Sequence, residues 1–219
     1  AARLGSSGGS MRVLPAAVLL TSMVVRATAG ALTVEIDDGH GHPAGDAVVT
    51  LRSDGAQRAD ARAAETKVVD QRDETFIPYV EIFRPGDAVV FHNSDTTRHH
   101  VYSFASAKSF EFIIAPGDSA PPVTLDRVGE IPVGCNIHDQ MITHLYVSDA
   151  PWIARTQADG RAVFDPLPAG TYNVDVWHPQ LRPGKPAPSR TVTIGSTGSS
   201  VTLTLSLLPD PRNGDRARY

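Results

Sequence analysis

The chain contains very little sulfur and no dominant charge. Its 219 residues include one cysteine, Cys135, and three methionines, and the formal net charge is only −4. The single cysteine excludes the paired C-x2-C spacing that structural zinc sites usually use. A weak, dispersed charge without a basic stripe gives no indication of nucleic-acid binding. At this length the chain can form one large domain or two small ones.

Helical periodicity is also scarce. The sequence contains 18 glycines and 17 prolines, and its apolar residues alternate over short runs between turn-forming residues. Such spacing is typical of short strands joined by many turns. The predicted fold class is therefore all-β.

The main hydrophobic run is too short for a bilayer span. It follows Met11-Arg12 and extends from Val13 to Val25, whereas a transmembrane helix needs about 20 residues. Ala27-Thr28-Ala29 then provides the small-x-small pattern that signal peptidase cleaves. We therefore predict that residues 1–29 are an N-terminal extension and a signal peptide, that no membrane span remains after cleavage, and that the mature chain is periplasmic. A membrane anchor is the weaker interpretation.

The candidate chemistry is concentrated in Cys135-Asn136-Ile137-His138-Asp139-Gln140-Met141. Once the leader is removed, this stretch holds the only cysteine and the only methionine of the chain. A thiolate, imidazoles and a weak axial thioether are the ligands of a blue-copper site, so the C-x2-H-x2-M spacing predicts a copper site that needs one further histidine. The alternatives are zinc, which also accepts thiolate and imidazole, or no metal, with the sulfur residues as core. A metal would also protect an unpaired thiol in an oxidising compartment.

About eight short strands are predicted between Lys67 and Val147, which indicates a β-sandwich or Greek-key barrel. Phe76–Ile82 and Ala88–Asn93 are predicted to form a hairpin around the turn Arg84-Pro85-Gly86-Asp87. A later strand runs directly into Cys135. Another begins at Ile142, just after Met141.

Residues 67–148 resemble the cupredoxins, the family of plastocyanin and amicyanin. The resemblance is carried by N-S-D-x-x-x-H-H-V-Y-S-F at residues 93–104 and G-C-N-I-H-D-x-M at residues 134–141. The same combination is similar to periplasmic plastocyanin-like proteins known as methylamine utilization proteins. The resemblance implies a Greek-key β-sandwich with one type 1 copper ion.

The family pattern also implies a role for each ligand. Cys135 would be the thiolate ligand, His138 one imidazole ligand and Met141 the axial thioether. His99 aligns with the other imidazole, and His100 replaces an asparagine that ties the two ligand loops together in the family. His100 stays an alternative to His99, because successive strand residues face opposite sides. The other residues near the pattern are predicted to be structural, with Asn93 and Asp95 organising a turn: His92, Asn93, Asp95, His144 and His178.

If protein side chains fill all the usual coordination positions of the copper ion, no position is left for a substrate. We therefore predict a one-electron carrier and not an enzyme, with no catalytic residues. His138, flanked by Ile137, is the hypothesised electron port toward a redox partner such as a cytochrome c or a copper or quinoprotein enzyme. Rival functions are a copper carrier or store without redox turnover, and a structural interaction module with an empty site.

The flanking segments resemble a second, Ig-like fold, the carboxypeptidase regulatory-like or transthyretin-like β-sandwich. D-G-x-x-x-F at residues 159–164 and L-P-x-G-x-Y at 167–172 carry this resemblance, and the start of the pattern lies at 32–51. The candidates for the core of this sandwich and for its interface are mainly large apolar residues: Phe164, Leu167, Tyr172, Val174, Val176 and Trp177.

These resemblances imply a cupredoxin domain at residues 67–149 that is inserted in, or adjoins, the second sandwich. The second sandwich would comprise residues 30–52 and 150–208, with a linker at 53–66 and a disordered tail at 209–219. The alternative is a tandem of unrelated β segments.

Overall fold

The computed structural model describes residues 29–55 and 59–213. These residues form sixteen strands and one 3-10 turn, so the predicted all-β class is confirmed. The strands are β1 (Ala29–Asp37), β2 (Val48–Ser53), β3 (Thr66–Arg72), β4 (Thr75–Ile77), β5 (Val80–Phe83), β6 (Asp87–Asn93), β7 (His99–Phe104), β8 (Ser109–Ile114), β9 (Val123–Leu125), β10 (Gly129–Cys135), β11 (Ile142–Val147), β12 (Trp152–Arg155), β13 (Arg161–Pro168), β14 (Gly170–Trp177), β15 (Ser189–Ile194) and β16 (Ser199–Thr204). In the described part of the chain, no helix is long and apolar enough to cross a membrane. The predicted leader lies outside these residues, apart from Ala29.

Strands from both ends of the described chain build one sandwich, here called the flanking sandwich. Its sheets have the orders β13-β1-β16 and β12-β2-β14-β15. From residue 30 onward, β1 alternates between buried and half-buried residues, which places Leu32, Val34 and Ile36 in the core. Five of the six predicted core candidates are buried in the same core: Phe164, Leu167, Tyr172, Val174 and Val176.

Strands β3 to β11 build a second sandwich, here called the central sandwich. Its sheets have the orders β4-β3-β6-β9 and β5-β11-β10-β7-β8. Alternation along β6 and β7 buries one side of each strand, as expected for strands with one face on a core. Cys135 and Met141 belong to this core, at 4% and 2% exposure.

The predicted hairpin over residues 76–93 is wrong. β5 pairs in parallel with β11, whereas β6 pairs with β3 and β9, so the two strands lie in opposite sheets. The turn at 84–87 is instead a bridge between the sheets. It is held by the buried Asp87 carboxylate, which accepts hydrogen bonds from the Arg84 and Glu65 amides and from Arg62.

An aromatic cluster joins the two sandwiches. Val48 of the flanking sandwich is buried with Tyr79 and Val80 of the central sandwich. The ring of Trp177 lies 4.8 Å from that of Tyr146 between centroids, so the sixth core candidate belongs to this interface. Ile142, one residue beyond the C-x2-H-x2-M stretch, packs against the same cluster.

The structure differs from the predicted disordered tail at residues 209–213. Pro211–Asn213 form a 3-10 turn, and the Arg212 guanidinium lies 3.5 Å from the centroid of the Tyr79 ring. Arg212 also pairs with Asp210 at 2.6 Å. These contacts combine a cation–π interaction with a half-buried ion pair, and they explain why a polar segment is ordered here. The rest of the predicted tail lies outside the described residues.

Candidate metal centre

The alternation of inward and outward side chains along β7 decides which of two consecutive histidines faces the core. His99 is fully buried and lies on the inner side of the strand with Val101, whereas His100 lies on the outer side. The His100 ring bonds outward to Glu111, with Nε2 2.6 Å from the carboxylate. Of the two candidate imidazoles, the fold therefore brings His99 and not His100 to the interior.

Three donor side chains converge at one end of the central sandwich. One donor atom each from His99, Cys135 and His138 lies within 4.8 Å of the other two. The Cys135 Sγ atom is 3.7 Å from Nδ1 of His99 and 4.0 Å from Nδ1 of His138. The two imidazole rings are 5.2 Å apart between centroids.

The loop between β10 and β11 folds back on itself to make this arrangement. The Met141 amide donates to the His138 carbonyl at 3.0 Å, and the Cys135 amide donates to the Met141 carbonyl at 3.2 Å. These bonds close the loop so that Cys135 and Met141 meet at its base. Met141 is buried in the same core as Cys135.

The two ligand loops are tied together through His100. The Asn136 amide donates to the His100 carbonyl at 2.9 Å, and the Asn136 side-chain nitrogen lies 3.4 Å from His100 Nδ1. His100 and Asn136 thus make a tie between the loops like the one that the family pattern assigns to asparagine. A histidine at position 100 therefore still allows the two ligand loops to be tied together by hydrogen bonds.

Two acidic residues contact the far sides of the imidazoles, and sequence reasoning missed both roles. Asp95 Oδ2 lies 2.7 Å from Nε2 of His99, and Glu74 Oε1 lies 3.5 Å from Nε2 of His138. The D-x-x-x-H spacing before His99 could have indicated the first contact. Nothing in the sequence points to Glu74, which comes from the distant turn between β3 and β4.

The ionised form of Asp95 is favoured at this position. Burial alone would raise the pKa of its carboxyl group, but hydrogen bonds from His99 and from the Glu74 and Asp73 amides outweigh burial and lower it below its usual value. Asp95 therefore presents a carboxylate to His99. The predicted turn-forming role of this residue is incomplete, because the same side chain reaches the buried imidazole.

His92, His144 and His178 do not belong to the cluster of donor side chains. His92 bonds to Ser119, His144 to Glu130, and His178 to the Gly45 carbonyl. Burial lowers the pKa of His178, although its hydrogen bond to Gly45 opposes this shift. Each of these three rings therefore has a hydrogen-bond partner within the fold that accounts for its position.

The donor set fits a thiophilic metal ion. Nitrogen and sulfur ligands lie about 2.0 and 2.3 Å from a metal, so donors that share one ion are separated by about 3.5 to 4 Å. The observed Sγ to Nδ1 distances of 3.7 and 4.0 Å are in this range. One thiolate and two imidazoles, with a thioether nearby in sequence and in the core, match the preference of copper better than that of calcium or magnesium.

No protein-family model matches this sequence, and no curated protein matches it. Among solved structures, amicyanin from Paracoccus versutus is 18% identical over 46% of this chain and 97% of its own, with a TM-score of 0.35. A purple cupredoxin from Nitrosopumilus maritimus is 17% identical over 39% of this chain and 100% of its own, with a TM-score of 0.33.

The Cu-containing nitrite reductase from Thermus scotoductus is 21% identical over 44% of this chain, with a TM-score of 0.35, and the match spans only 25% of that enzyme. The function proposed below therefore rests on the side chains of the site.

Proposed function

We propose that this protein is a type 1 copper protein of the cupredoxin kind that carries one electron at a time. Cys135, His99 and His138 would hold the copper ion, with the Met141 thioether as a further ligand. The observation that carries the proposal is the convergence of one donor atom each from Cys135, His99 and His138 within 4.8 Å, with Sγ 3.7 and 4.0 Å from the two Nδ1 atoms. When bound, copper would supply a one-electron change between Cu(I) and Cu(II).

The chain's contribution is to hold the donors still. His99 is fully buried and Cys135 is 4% exposed, and their strands are joined by the pairs Gly134↔Tyr102 and Cys135↔Val101. Donors fixed by a sheet and by a closed loop change position little when the charge of the ion changes, and the hydrogen bonds around them tune the potential. This is what an electron carrier needs and is the reason we expect no catalytic turnover.

His138 is the proposed electron port. Its side chain is 23% exposed, in contrast to the fully buried His99. Ile137 beside it is 51% exposed and offers an apolar contact for a redox partner, for which we propose a cytochrome c or a copper or quinoprotein enzyme. A periplasmic location for this exchange follows from the predicted signal peptide.

The test is the visible absorption and electron paramagnetic resonance of the mature chain loaded with Cu(II). We expect an intense thiolate-to-copper band and a compressed hyperfine splitting, both lost in Cys135→Ser. His99→Asn and His100→Asn form a matched pair, because they make the same change on opposite faces of one strand. The first should lose the band and the second should keep it.

A pale Cu(II) spectrum that Cys135→Ser leaves unchanged would contradict the proposal. Copper that leaves the intact protein rapidly for a chelator, without a reversible potential, would favour the carrier or store. Loss of the band in His100→Asn but not in His99→Asn would move the ligand to the outer face of β7.

A further inference from the structure

The two imidazoles are oriented in the same way. Each turns Nδ1 toward Cys135, and each turns Nε2 toward a carboxylate, Asp95 for His99 and Glu74 for His138. Orientation of a ligand imidazole through its second nitrogen is a general means of fixing both the ring and its tautomer. The contacts that hold these two carboxylates in place therefore affect the orientation of both rings.

Asp95 contacts both His99 and the turn that carries Glu74. Its carboxylate accepts hydrogen bonds from the amides of Asp73 at 2.5 Å and Glu74 at 3.1 Å, in addition to the contact with His99. The Asp95 amide is fixed in turn by the side-chain oxygen of buried Asn93 at 2.9 Å. Asn93 donates to the Thr97 and Ile114 carbonyls, so the carboxylate is held from behind.

The turn between β3 and β4 depends on this carboxylate. Asp73 and Glu74 both have positive φ, at 52° and 53°, a conformation that residues other than glycine rarely adopt and that persists where surrounding contacts enforce it. Asp95 supplies such contacts by accepting both amides. With the turn in place, the Glu74 side chain reaches His138.

We propose that Asp95 is the positioning residue of this site: it holds His99 as the Nε2–H tautomer, with the Nδ1 lone pair facing Cys135, and it anchors the 73–74 turn that brings Glu74 to His138. The effect on the protein without metal depends only on these contacts. The effect on copper rests on the proposed function.

The effect on the imidazole is measured without copper. Long-range proton–nitrogen NMR of the 15N-labelled, metal-free mature chain, recorded over a pH series so that the neutral ring is observed, should show His99 as a single Nε2–H tautomer. Asp95→Ala should give a mixture of tautomers and shift the Asp73 and Glu74 amides. Asp73→Asn is the matched control, because it removes a charge from the same turn, keeps the amide, and asparagine tolerates positive φ.

The effect on copper is measured by competition with a chelator. Asp95→Ala should bind copper roughly 10- to 100-fold more weakly than the parent, while Asp73→Asn should match the parent. Asp95→Asn keeps the shape of the side chain, so it tests the charge even if the alanine variant folds poorly. It should favour Cu(I), and a tenfold change in the ratio of the two affinities corresponds to about 59 mV in reduction potential.

A parent-like tautomer in Asp95→Ala, together with parent-like copper affinity, would overturn the proposal. So would equal effects of Asp95→Asn and Asp73→Asn on the potential, because any nearby charge would then suffice. The tautomer is read without copper, so failure of the blue-copper assignment and failure of the Asp95 role give different results.

Discussion

Asp87 is a single carboxylate that holds together segments far apart in sequence. Its side chain is 1% exposed, and it accepts hydrogen bonds from the Arg84 amide, the Glu65 amide and the Arg62 guanidinium at 2.7, 2.9 and 2.5 Å. Burial would raise the pKa of its carboxyl group, but these bonds outweigh burial and lower it. The ionised form therefore stabilises the bridge between the sheets of the central sandwich.

We expect Asp87→Asn to lower the free energy of unfolding at pH 7 by about 1–3 kcal/mol, because a charged acceptor of three donors is lost. Since the folded-state pKa is lowered, the contribution of Asp87 is present above the unfolded pKa of about 3.9 and is lost as the pH falls through the folded pKa. The difference in unfolding free energy between parent and variant should therefore shrink as the pH falls below about 4. Denaturant unfolding of both proteins at several pH values measures this difference in free energy.

The control is Asp126→Asn. This change removes a carboxylate that is 67% exposed and makes a long ion pair, 3.8 Å, with Lys108. Its effect should stay within about 0.5 kcal/mol at all pH values. A constant gap between Asp87→Asn and the parent down to acid pH would contradict the prediction.

At the scale of elements, the turn from β12 to β13 is shaped by one glycine. Gly160 has a φ of 74°, and a Cβ atom at this position would lie 2.5 Å from the Ile36 carbonyl oxygen and 3.0 Å from Pro43. The Ile36 amide also donates to the Gly160 carbonyl at 2.8 Å. The D-G-x-x-x-F turn therefore packs directly against the end of β1.

Gly160→Ala should destabilise the flanking sandwich by more than the roughly 1–3 kcal/mol of a left-handed conformation alone, because the backbone of β1 must also move. Gly184→Ala is the matched control, since its φ is 76° and nothing lies near the position of the added Cβ. Thermal unfolding of both variants separates the two effects. Equal shifts in Tm would show that the close approach to Ile36 carries no cost.

At the scale of the whole molecule, the two sandwiches share an interface but not a core. Trp177 packs against Tyr146 and His144, with centroid distances of 4.8 and 6.0 Å. Arg84 donates to the Ser148 and Ala150 carbonyls where the chain returns to the flanking sandwich. An interface of this kind can couple the unfolding of two units that each have their own core.

Trp177→Ala should therefore split one calorimetric unfolding transition into two, because it removes the largest side chain at the interface. Trp152→Ala removes a tryptophan that packs against the flanking core, near Tyr172, and should instead lower the stability of that sandwich. A single transition with unchanged Tm in Trp177→Ala would contradict the prediction.

The strand class and the candidate donors could be predicted because local patterns report them. Alternating apolar residues mark strands, and the only cysteine lies beside a histidine and a methionine. The pairing of β5 with β11 could not be predicted, because strands far apart in sequence meet only through the packing of the whole sandwich. The order of Arg212 depends likewise on the distant ring of Tyr79.

The all-β class and the types of donor atoms available are evident from the residues alone, because both depend on residue chemistry and short-range spacing. The domain bounds, copper binding, the redox partner and the periplasmic location stay predictions. Which of His99 and His100 lies on the inner face could be read only from the folded chain, because alternation along a strand does not say which face meets the core. Folding also brought Asp95 and Glu74 to the imidazoles, since the turn that carries Glu74 reaches the site only when β3, β6 and β11 are packed together.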